Sequence, residues 1–157
     1  MKYVFDNNSL TSIFKFYYFE SFPSFWEKFN RLVTSKEIVS VREVRRELEH
    51  MNRWDYIKVW AANYPDFFET PTNDELEFIT EIYRIRHFQQ NIEKKILLKG
   101  SPIADPFIVA KAKINNAMVV TEEKYKEHAS KIPNICMHFE IEYVDLEGFL
   151  IKENWKF

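Results

Sequence analysis

Three short apolar segments separated by helical patterns constrain the fold of this chain more than any other feature of its sequence. They are Tyr3-Val4-Phe5, Glu37-Ile38-Val39 and Met118-Val119-Val120. Between them, apolar residues recur at the three- and four-residue spacing of amphipathic helices. Short strands that alternate with helices favour parallel pairing, so the sequence predicts a three-layer α/β/α fold around a short parallel sheet.

The helical patterns and two further strand-like segments complete the predicted element order. Helices are predicted at Ser9–Tyr18, Ser21–Val33, Val41–Met51, Trp54–Tyr64, Glu75 to about Lys95, Ala104–Ile114 and Leu146–Lys152. Late strands are predicted at 133–136 and 141–144, and a break at 99–102. We interpret residues 1–157 as a single domain in which 52–100 form a helical insertion without a clear strand.

Composition excludes several classes of function. The two glycines, Gly100 and Gly148, cannot supply a P-loop or a dinucleotide-binding fingerprint. With 22 basic and 24 acidic residues, binding to nucleic acid would need a local basic patch. One cysteine and no long apolar run predict a soluble cytoplasmic protein without an internal disulfide.

Acidic residues follow the predicted strands at the points where they end. Asp6 follows the first strand, and Glu122 and Glu123 follow the strand that ends at Thr121. Asp105 is expected to cap a helix whose first turn is wholly apolar, which places it beside the interior. Because parallel strands end at a common edge, these carboxylates are expected to meet there.

The helix after the second strand offers two further acids. At 100° per residue, Glu47 lies about 70° from the centre of the apolar face and Glu43 about 110°. Glu47 is therefore expected at the edge of the core, and Glu43 in solvent. Asn8 and Ser9 are expected to cap the first helix, Ser21 or Ser24 the second, and Ser40 the helix of Glu47.

Carboxylates that converge in a poorly solvated cleft raise one another's pKa unless a cation neutralises them. Oxygen ligands without histidine or cysteine favour Mg²⁺ or Mn²⁺. Such an ion can activate water and hold a phosphodiester for in-line attack. We therefore interpret Asp6 as a metal ligand at the end of its strand.

Four segments in this order resemble the PIN-domain nucleases, which include VapC-type toxins. VFDNNSL carries Asp6, VSVREVRREL carries Glu47, ADPFIVAKA carries Asp105 and VVTEE carries Thr121 and Glu123. The resemblance implies that Asp6, Glu47, Asp105 and Glu123 are the catalytic, metal-binding residues, supported by Asn8, Ser40 and Thr121. Two positions depart from the family pattern, which usually has Thr or Ser at position 7 and Asp at position 123.

The activity that this resemblance implies is Mg²⁺- or Mn²⁺-dependent cleavage of RNA by the toxin of a toxin–antitoxin pair. Its partners would be RNA, a cognate antitoxin and possible second copies in a homodimer. The alternative is a degenerate PIN-like binding module without turnover. A receiver-like phosphoacceptor fold would need paired acids after the first strand, which the sequence lacks.

Other residues have less specific interpretations. Arg42, Arg45 and Arg46 flank Glu47, and some of them are expected to line an RNA groove, although basic runs on helices are usually solvated faces. Four aromatic residues, Trp54, Trp60, Phe67 and Phe68, are expected to pack in the core rather than stack on bases. Cys136 is expected to be inert in an apolar strand.

Overall fold

The computed structural model describes residues 1–99 and 102–157, without the side chains of 94–99. Within these residues five strands form one sheet in which every pair is parallel. The strands are β1 (Tyr3–Phe5), β2 (Ile38–Val41), β3 (Phe68–Glu69), β4 (Met118–Val120) and β5 (Tyr143–Val144), in the spatial order β3-β2-β1-β4-β5. The predicted α/β fold with a short parallel central sheet is confirmed.

Helices precede or follow every strand. They are α1 (Asn7–Phe16), α2 (Pro23–Thr34), α3 (Arg42–His50), α4 (Lys58–Asn63), α5 (Asn73–Arg84), α6 (Arg86–Lys99), α7 (Asp105–Ile114), α8 (Ile132–His138) and α9 (Leu146–Lys152). A short 3₁₀ helix, Trp54–Tyr56, precedes α4. None of the helices in the described part of the chain combines the length and the apolarity needed to cross a bilayer.

Helices cover both faces of the sheet because the chain passes from β1 to β2 on one side and later returns to β4 on the other side of β1. Right-handed connections then place α2 and α7 on opposite faces. Phe5 packs edge-to-face against Phe29 of α2 and Phe149 of α9. On the other face α7 contacts β1, β2 and β4 and is itself covered by α5 and α8. This arrangement buries all of β1 and, in the first turn of α7, Asp105, Pro106 and Ile108, while Phe107 is half-buried.

The structure corrects four predicted elements. Residues 132–138 form α8 instead of a strand, because Pro133 suits a helix start and Ile132, Ile135 and Cys136 share one buried face. The segment 52–100, predicted to be a helical insertion without a clear strand, does contain a strand, β3, which is too short to leave a sequence pattern. The long helix predicted from Glu75 is interrupted at Ile85, whose backbone is extended. The second helix has Phe22 at its N-cap, so neither Ser21 nor Ser24 caps it.

Part of the prediction lies outside the described residues. This applies to the predicted break at 99–102, of which Gly100 and Ser101 are not described. The aromatic residues follow the core interpretation, with Trp60 and Phe67 buried and Trp54 and Phe68 half-buried against each other.

A buried ion cluster joins α7 to the insertion. Lys111, 1% exposed, donates hydrogen bonds to Glu69 Oε2 at 2.8 Å and to Glu75 Oε1 at 2.9 Å. Glu75 also closes a capping box with Thr72 at the start of α5. The cluster therefore attaches the edge strand β3 and helix α5 to the helix that begins with Asp105.

Candidate active site

Asp6 leaves β1 at the carboxyl edge of the sheet and is 2% exposed. One carboxylate oxygen accepts a hydrogen bond from the Asn7 backbone N–H at 2.6 Å, so Asp6 itself is the N-cap of α1. The other oxygen accepts the Thr121 hydroxyl at 2.9 Å. The expectation that Asn8 and Ser9 cap this helix is wrong, because the helix begins earlier than the pattern suggested.

The strand register places Thr121 next to Asp6. Phe5 of β1 pairs with Val120 of β4, and the following residues therefore emerge side by side. The Thr121 hydroxyl oxygen also accepts the Glu123 backbone N–H at 3.2 Å. The half-buried Glu123 carboxylate accepts the first N–H of α8, from Ile132, at 3.0 Å. This places Glu123 at a helix N-terminus, where a negative charge is stabilised.

Glu47 is 4% exposed, in agreement with its expected place at the edge of the core. Its Oε1 accepts the Ala104 backbone N–H at 2.9 Å, and its Oε2 accepts the side-chain amide of Asn7. Glu47 therefore connects α3 to α1 and to the segment that precedes Asp105. Asn7, which departs from the family pattern, supplies one of these contacts.

The expectation that Glu43 is solvated is wrong. Its side chain is buried, and Arg42 Nη2 lies 2.8 Å and Arg46 Nη1 3.8 Å from its Oε1. Its other oxygen has no hydrogen-bond partner within the described residues. Helix α3 packs on α1, β2 and β3, so it buries a wider face than a wheel centred on its apolar residues predicts.

Asp105 is 2% exposed, as expected, but it is the first residue of α7 and not its cap. Ala104 occupies the N-cap and provides no side-chain hydrogen bond. The Asp105 Oδ2 accepts a hydrogen bond at 2.8 Å from Asn91 of α6. No sequence signal indicated Asn91, since it lies on a separate helix of the insertion.

Three of these carboxylates act electrostatically on Asp6. Burial raises the pKa of Asp6 well above its usual range, and the charges of Asp105, Glu123 and Glu47 raise it further, while the Thr121 hydrogen bond opposes the shift. Asp105 and Glu123 also contribute to the raised pKa of Cys136, about 12, after burial. Residues from four distant segments therefore share one poorly solvated region.

Two of the supporting residues, Ser40 and Asn8, make contacts different from those expected. Ser40 is buried within β2 and donates to the Phe5 carbonyl oxygen at 2.7 Å, so it joins two strands and does not cap α3. Asn8 does not hydrogen-bond Asp6; its amide oxygen accepts the Glu122 backbone N–H at 3.1 Å. The Glu122 carboxylate in turn accepts the Leu146 N–H at 2.8 Å, an anchoring role that the sequence did not suggest.

The arginines beside Glu47 make local contacts. Arg42 and Arg46 neutralise Glu43, while Arg45 pairs with Glu49 at 3.0 Å and lies 4.6 Å from the Trp54 ring. The Arg45 and Arg46 side chains remain about half exposed. Their predicted contact with RNA stays a prediction.

The donor set of the cluster consists of oxygen atoms only, which is the chemistry that Mg²⁺ and Mn²⁺ prefer. No three His, Cys, Asp or Glu side chains in the described residues are already arranged to hold one ion. The carboxylates instead accept hydrogen bonds from Thr121, Asn7 and Asn91. The cluster thus fits a divalent cation in its chemistry, while binding would require the side chains to approach one another.

Comparison with known proteins gives a family but no activity. The sequence profile of a family described as a domain of unknown function, DUF4411, matches residues 3–157. No curated protein matches the sequence significantly. The 2.2 Å structure of VapBC-1 from nontypeable Haemophilus influenzae is similar over 92% of this chain and 98% of that chain, with 14% identity and a TM-score of 0.45. Similarity at this level does not determine the activity of this chain.

Proposed function

The chain belongs to the family described as a domain of unknown function, DUF4411, and we propose that it is a metal-dependent endoribonuclease. One observation carries the proposal: the buried acids Asp6, Glu47 and Asp105, each at most 4% exposed, lie close enough together with Glu123 that the other three charges raise the pKa of Asp6. Such a grouping destabilises the folded protein unless a proton or a cation neutralises it. A group of buried carboxylates that is retained although it destabilises the folded protein is a candidate functional site.

The residues proposed to hold the cation are Asp6, Glu47, Asp105 and Glu123. A bound Mg²⁺ or Mn²⁺ would neutralise the carboxylates, lower the pKa of a water molecule and stabilise charge on the phosphate. Hydrogen bonds from Thr121 and Asn91 orient Asp6 and Asp105 without exhausting their acceptor capacity, because a carboxylate has about four lone-pair sites.

The proposed reaction is hydrolysis of an RNA phosphodiester. The oxygen of a water molecule forms a bond to phosphorus and gives up a proton, while the bond from phosphorus to the 3′ oxygen breaks and that oxygen takes a proton. The products carry 5′-phosphate and 3′-hydroxyl ends, as the resemblance to PIN-domain nucleases implies. The half-exposed Arg45 and Arg46 are proposed to contact the RNA backbone.

The test is cleavage of RNA in EDTA, in Mg²⁺ and in Mn²⁺ by the native protein and by Asp6→Asn and Asp105→Asn. Each substitution removes one charge from the cluster and keeps the side-chain shape. The matched control is Asp66→Asn, an exposed aspartate whose carboxylate lies 4.0 Å from Lys36. We expect metal-dependent cleavage that falls at least 100-fold in both site variants and persists in the control. Cleavage that survives both site substitutions would exclude this centre.

A second candidate is a PIN-like module that binds RNA without cleaving it. The observation that favours it is that no three acidic side chains in the described residues are already arranged around a metal position. Metal titration separates the two, because a ligand at 100 times its Kd stabilises the folded state by about 2.7 kcal/mol. RNA binding without cleavage or metal-linked stabilisation would favour the binding module.

We also propose an antitoxin that covers the cleft, which the resemblance to VapC-type toxins implies. A small adjacent reading frame with a DNA-binding segment would identify it, and co-expression should then suppress cleavage. Sedimentation of the purified chain would decide whether it forms a homodimer. For the RNA contact, Arg45→Glu with Arg46→Glu should weaken RNA binding and lower its salt dependence.

A further inference from the structure

Asn91 of helix α6 contacts both Asp105 and the segment that follows Glu123. We propose that Asn91 is a positioning residue that holds Asp105 and the loop of Glu123 in one arrangement. The proposal rests on the function proposed above, because it assigns Asn91 a role in the same centre. It makes the 52–100 insertion a part of the site.

The contacts of Asn91 determine how its amide is oriented. The side chain is 7% exposed, and Nδ2 donates to Asp105 Oδ2 at 2.8 Å and to the Ser130 carbonyl oxygen at 2.6 Å. Both partners are acceptors, so the nitrogen must face them and both of its hydrogens are used. The bond to Asp105 is assisted by the carboxylate charge and is stronger than a bond between neutral groups.

Asp105 receives this contact from outside its own helix. Asp105 is the first residue of α7, and the N-cap, Ala104, provides no side-chain hydrogen bond. The bond from Asn91 of α6 therefore fixes the position of Asp105 Oδ2 relative to a second helix. Loss of a residue that orients a metal ligand typically lowers metal affinity or activity 10- to 100-fold.

The second bond of Asn91 reaches the loop between β4 and α8. Ser130 lies between Glu123 and Ile132, whose N–H donates to the Glu123 carboxylate. One buried amide thus links Asp105 to the segment on which the position of Glu123 depends. Helix α5 also lies in this part of the fold, since it packs on α7, the helix that begins with Asp105.

Asn134 provides a matched control. It is buried to a similar degree, 8% exposed, and its Nδ2 donates to the Lys126 carbonyl oxygen of the same loop at 2.7 Å. In both asparagines Oδ1 has no hydrogen-bond partner among the described residues. Asn134 thus resembles Asn91 in burial and loop attachment but has no recorded hydrogen bond to a carboxylate.

The experiment compares Asn91→Leu, Asn91→Asp and Asn134→Leu in the full chain. Leucine removes both donors, whereas aspartate keeps the shape, cannot donate when ionised and adds a negative charge beside Asp105. We expect both Asn91 variants to cleave RNA 10- to 100-fold more slowly, and the neutral Asn91→Leu also to bind Mn²⁺ more weakly in calorimetry. Asn134→Leu should remain within about threefold of the native protein, since it leaves Asp105 untouched.

A readout without metal or activity tests the contact itself. In ¹⁵N spectra of the metal-free protein, Asp105→Asn should move the side-chain amide signals of Asn91 and leave those of Asn134 in place. Unmoved Asn91 signals would overturn the proposal. If Asn91→Leu does not fold, the isosteric Asn91→Asp decides the activity measurement and the ¹⁵N spectra decide the contact.

The outcomes separate this proposal from the proposed function. A native chain that cleaves RNA, with Asn91 variants of native rate and Mn²⁺ affinity, would overturn the role of Asn91 and leave the nuclease standing. Equal losses of cleavage rate in the Asn91 and Asn134 variants would mean that Asn91 only attaches the loop, which would also overturn its role as a positioning residue. If the native chain does not cleave RNA, the nuclease proposal fails, while the Mn²⁺ and ¹⁵N measurements still decide the role of Asn91.

Discussion

Thr121 donates its hydroxyl hydrogen to Asp6 Oδ2 at 2.9 Å, across 115 positions of sequence. The same hydroxyl oxygen accepts the backbone N–H of Glu123 at 3.2 Å. One buried side chain therefore joins the acid after the first strand to the acid after the fourth. The hydrogen bond also favours the ionised form of Asp6, since it opposes the rise in the pKa of that residue.

Replacing Thr121 by valine should destabilise the protein by about 1–3 kcal/mol at neutral pH, because a buried carboxylate loses a hydrogen bond. The penalty should shrink in acid, where Asp6 is protonated and the lost bond matters less. Urea unfolding at several pH values measures both effects. Thr121→Ser keeps the hydroxyl and is the control; an equal loss of stability in the serine variant would show that the fit of the side chain, and not the hydroxyl hydrogen bond, decides the effect.

Asp6→Asn should stabilise the metal-free protein at neutral pH. The folded pKa of Asp6 is raised above the usual 3.8, so between these two values the folded state holds a proton that the unfolded chain has released. The contribution of Asp6 to stability is therefore full below pH 3.8 and is lost as the pH rises through the folded pKa. Asparagine does not ionise and so avoids this loss, and we expect the free energy of unfolding to rise by about 1–2 kcal/mol, or Tm by a few degrees.

A comparison of Asp6→Asn with Asp6→Ala isolates the contribution of the N-cap hydrogen bond to stability. Asparagine can still accept the N–H at the start of α1, whereas alanine cannot, and the loss of an N-cap costs about 1 kcal/mol. Alanine should thus be the less stable of the two variants in thermal unfolding. A pH dependence of stability that is unchanged in Asp6→Asn would show that Asp6 does not titrate abnormally.

Lys111→Met should destabilise the protein by about 3–5 kcal/mol, because Glu69 and Glu75 lose their buried partner. Burial lowers the pKa of Lys111, but the hydrogen bonds to these glutamates outweigh it and the net shift is upward. The contribution of the cluster is thus present below the usual 10.5 and is lost as pH rises through the folded pKa.

Lys113→Met is the control for this substitution in urea unfolding. Lys113 is an exposed lysine on the same helix and donates to the Phe139 carbonyl oxygen. We expect a change within about 0.5 kcal/mol. Adding Glu69→Gln and Glu75→Gln to Lys111→Met should restore much of the lost stability; failure to do so would locate the cost in the cavity and not in the unpaired charges.

The Cys136 thiol should be unreactive in the folded protein. Burial, followed by the charges of Asp105 and Glu123, raises its pKa to about 12, so the thiolate is scarce at neutral pH. Labelling by a thiol reagent should therefore proceed at the rate at which the protein opens, and immediately in denaturant. Rapid labelling under native conditions would contradict both the burial and the raised pKa.

The site was predictable where local patterns and parallel pairing sufficed. Asp6 and Thr121 follow short apolar segments, and the parallel register brings them together. The burial of Glu47 and of the α7 start also followed from helical periodicity. Prediction failed where several packing partners decide the outcome. Glu43 is buried and paired with Arg42 of its own helix, and residues 132–138 form a helix although their composition also suits a strand.

By itself the sequence determined the alternation of strands and helices and the places where acids leave the sheet, because backbone periodicity and burial are local properties. Only the tertiary structure decided which donors hold those acids. Asn91 and Asp105 lie on different helices, and Asn7 meets Glu47 from another segment. Hydrogen bonds depend on the distance and direction of atoms far apart in the chain, which a residue pattern does not specify.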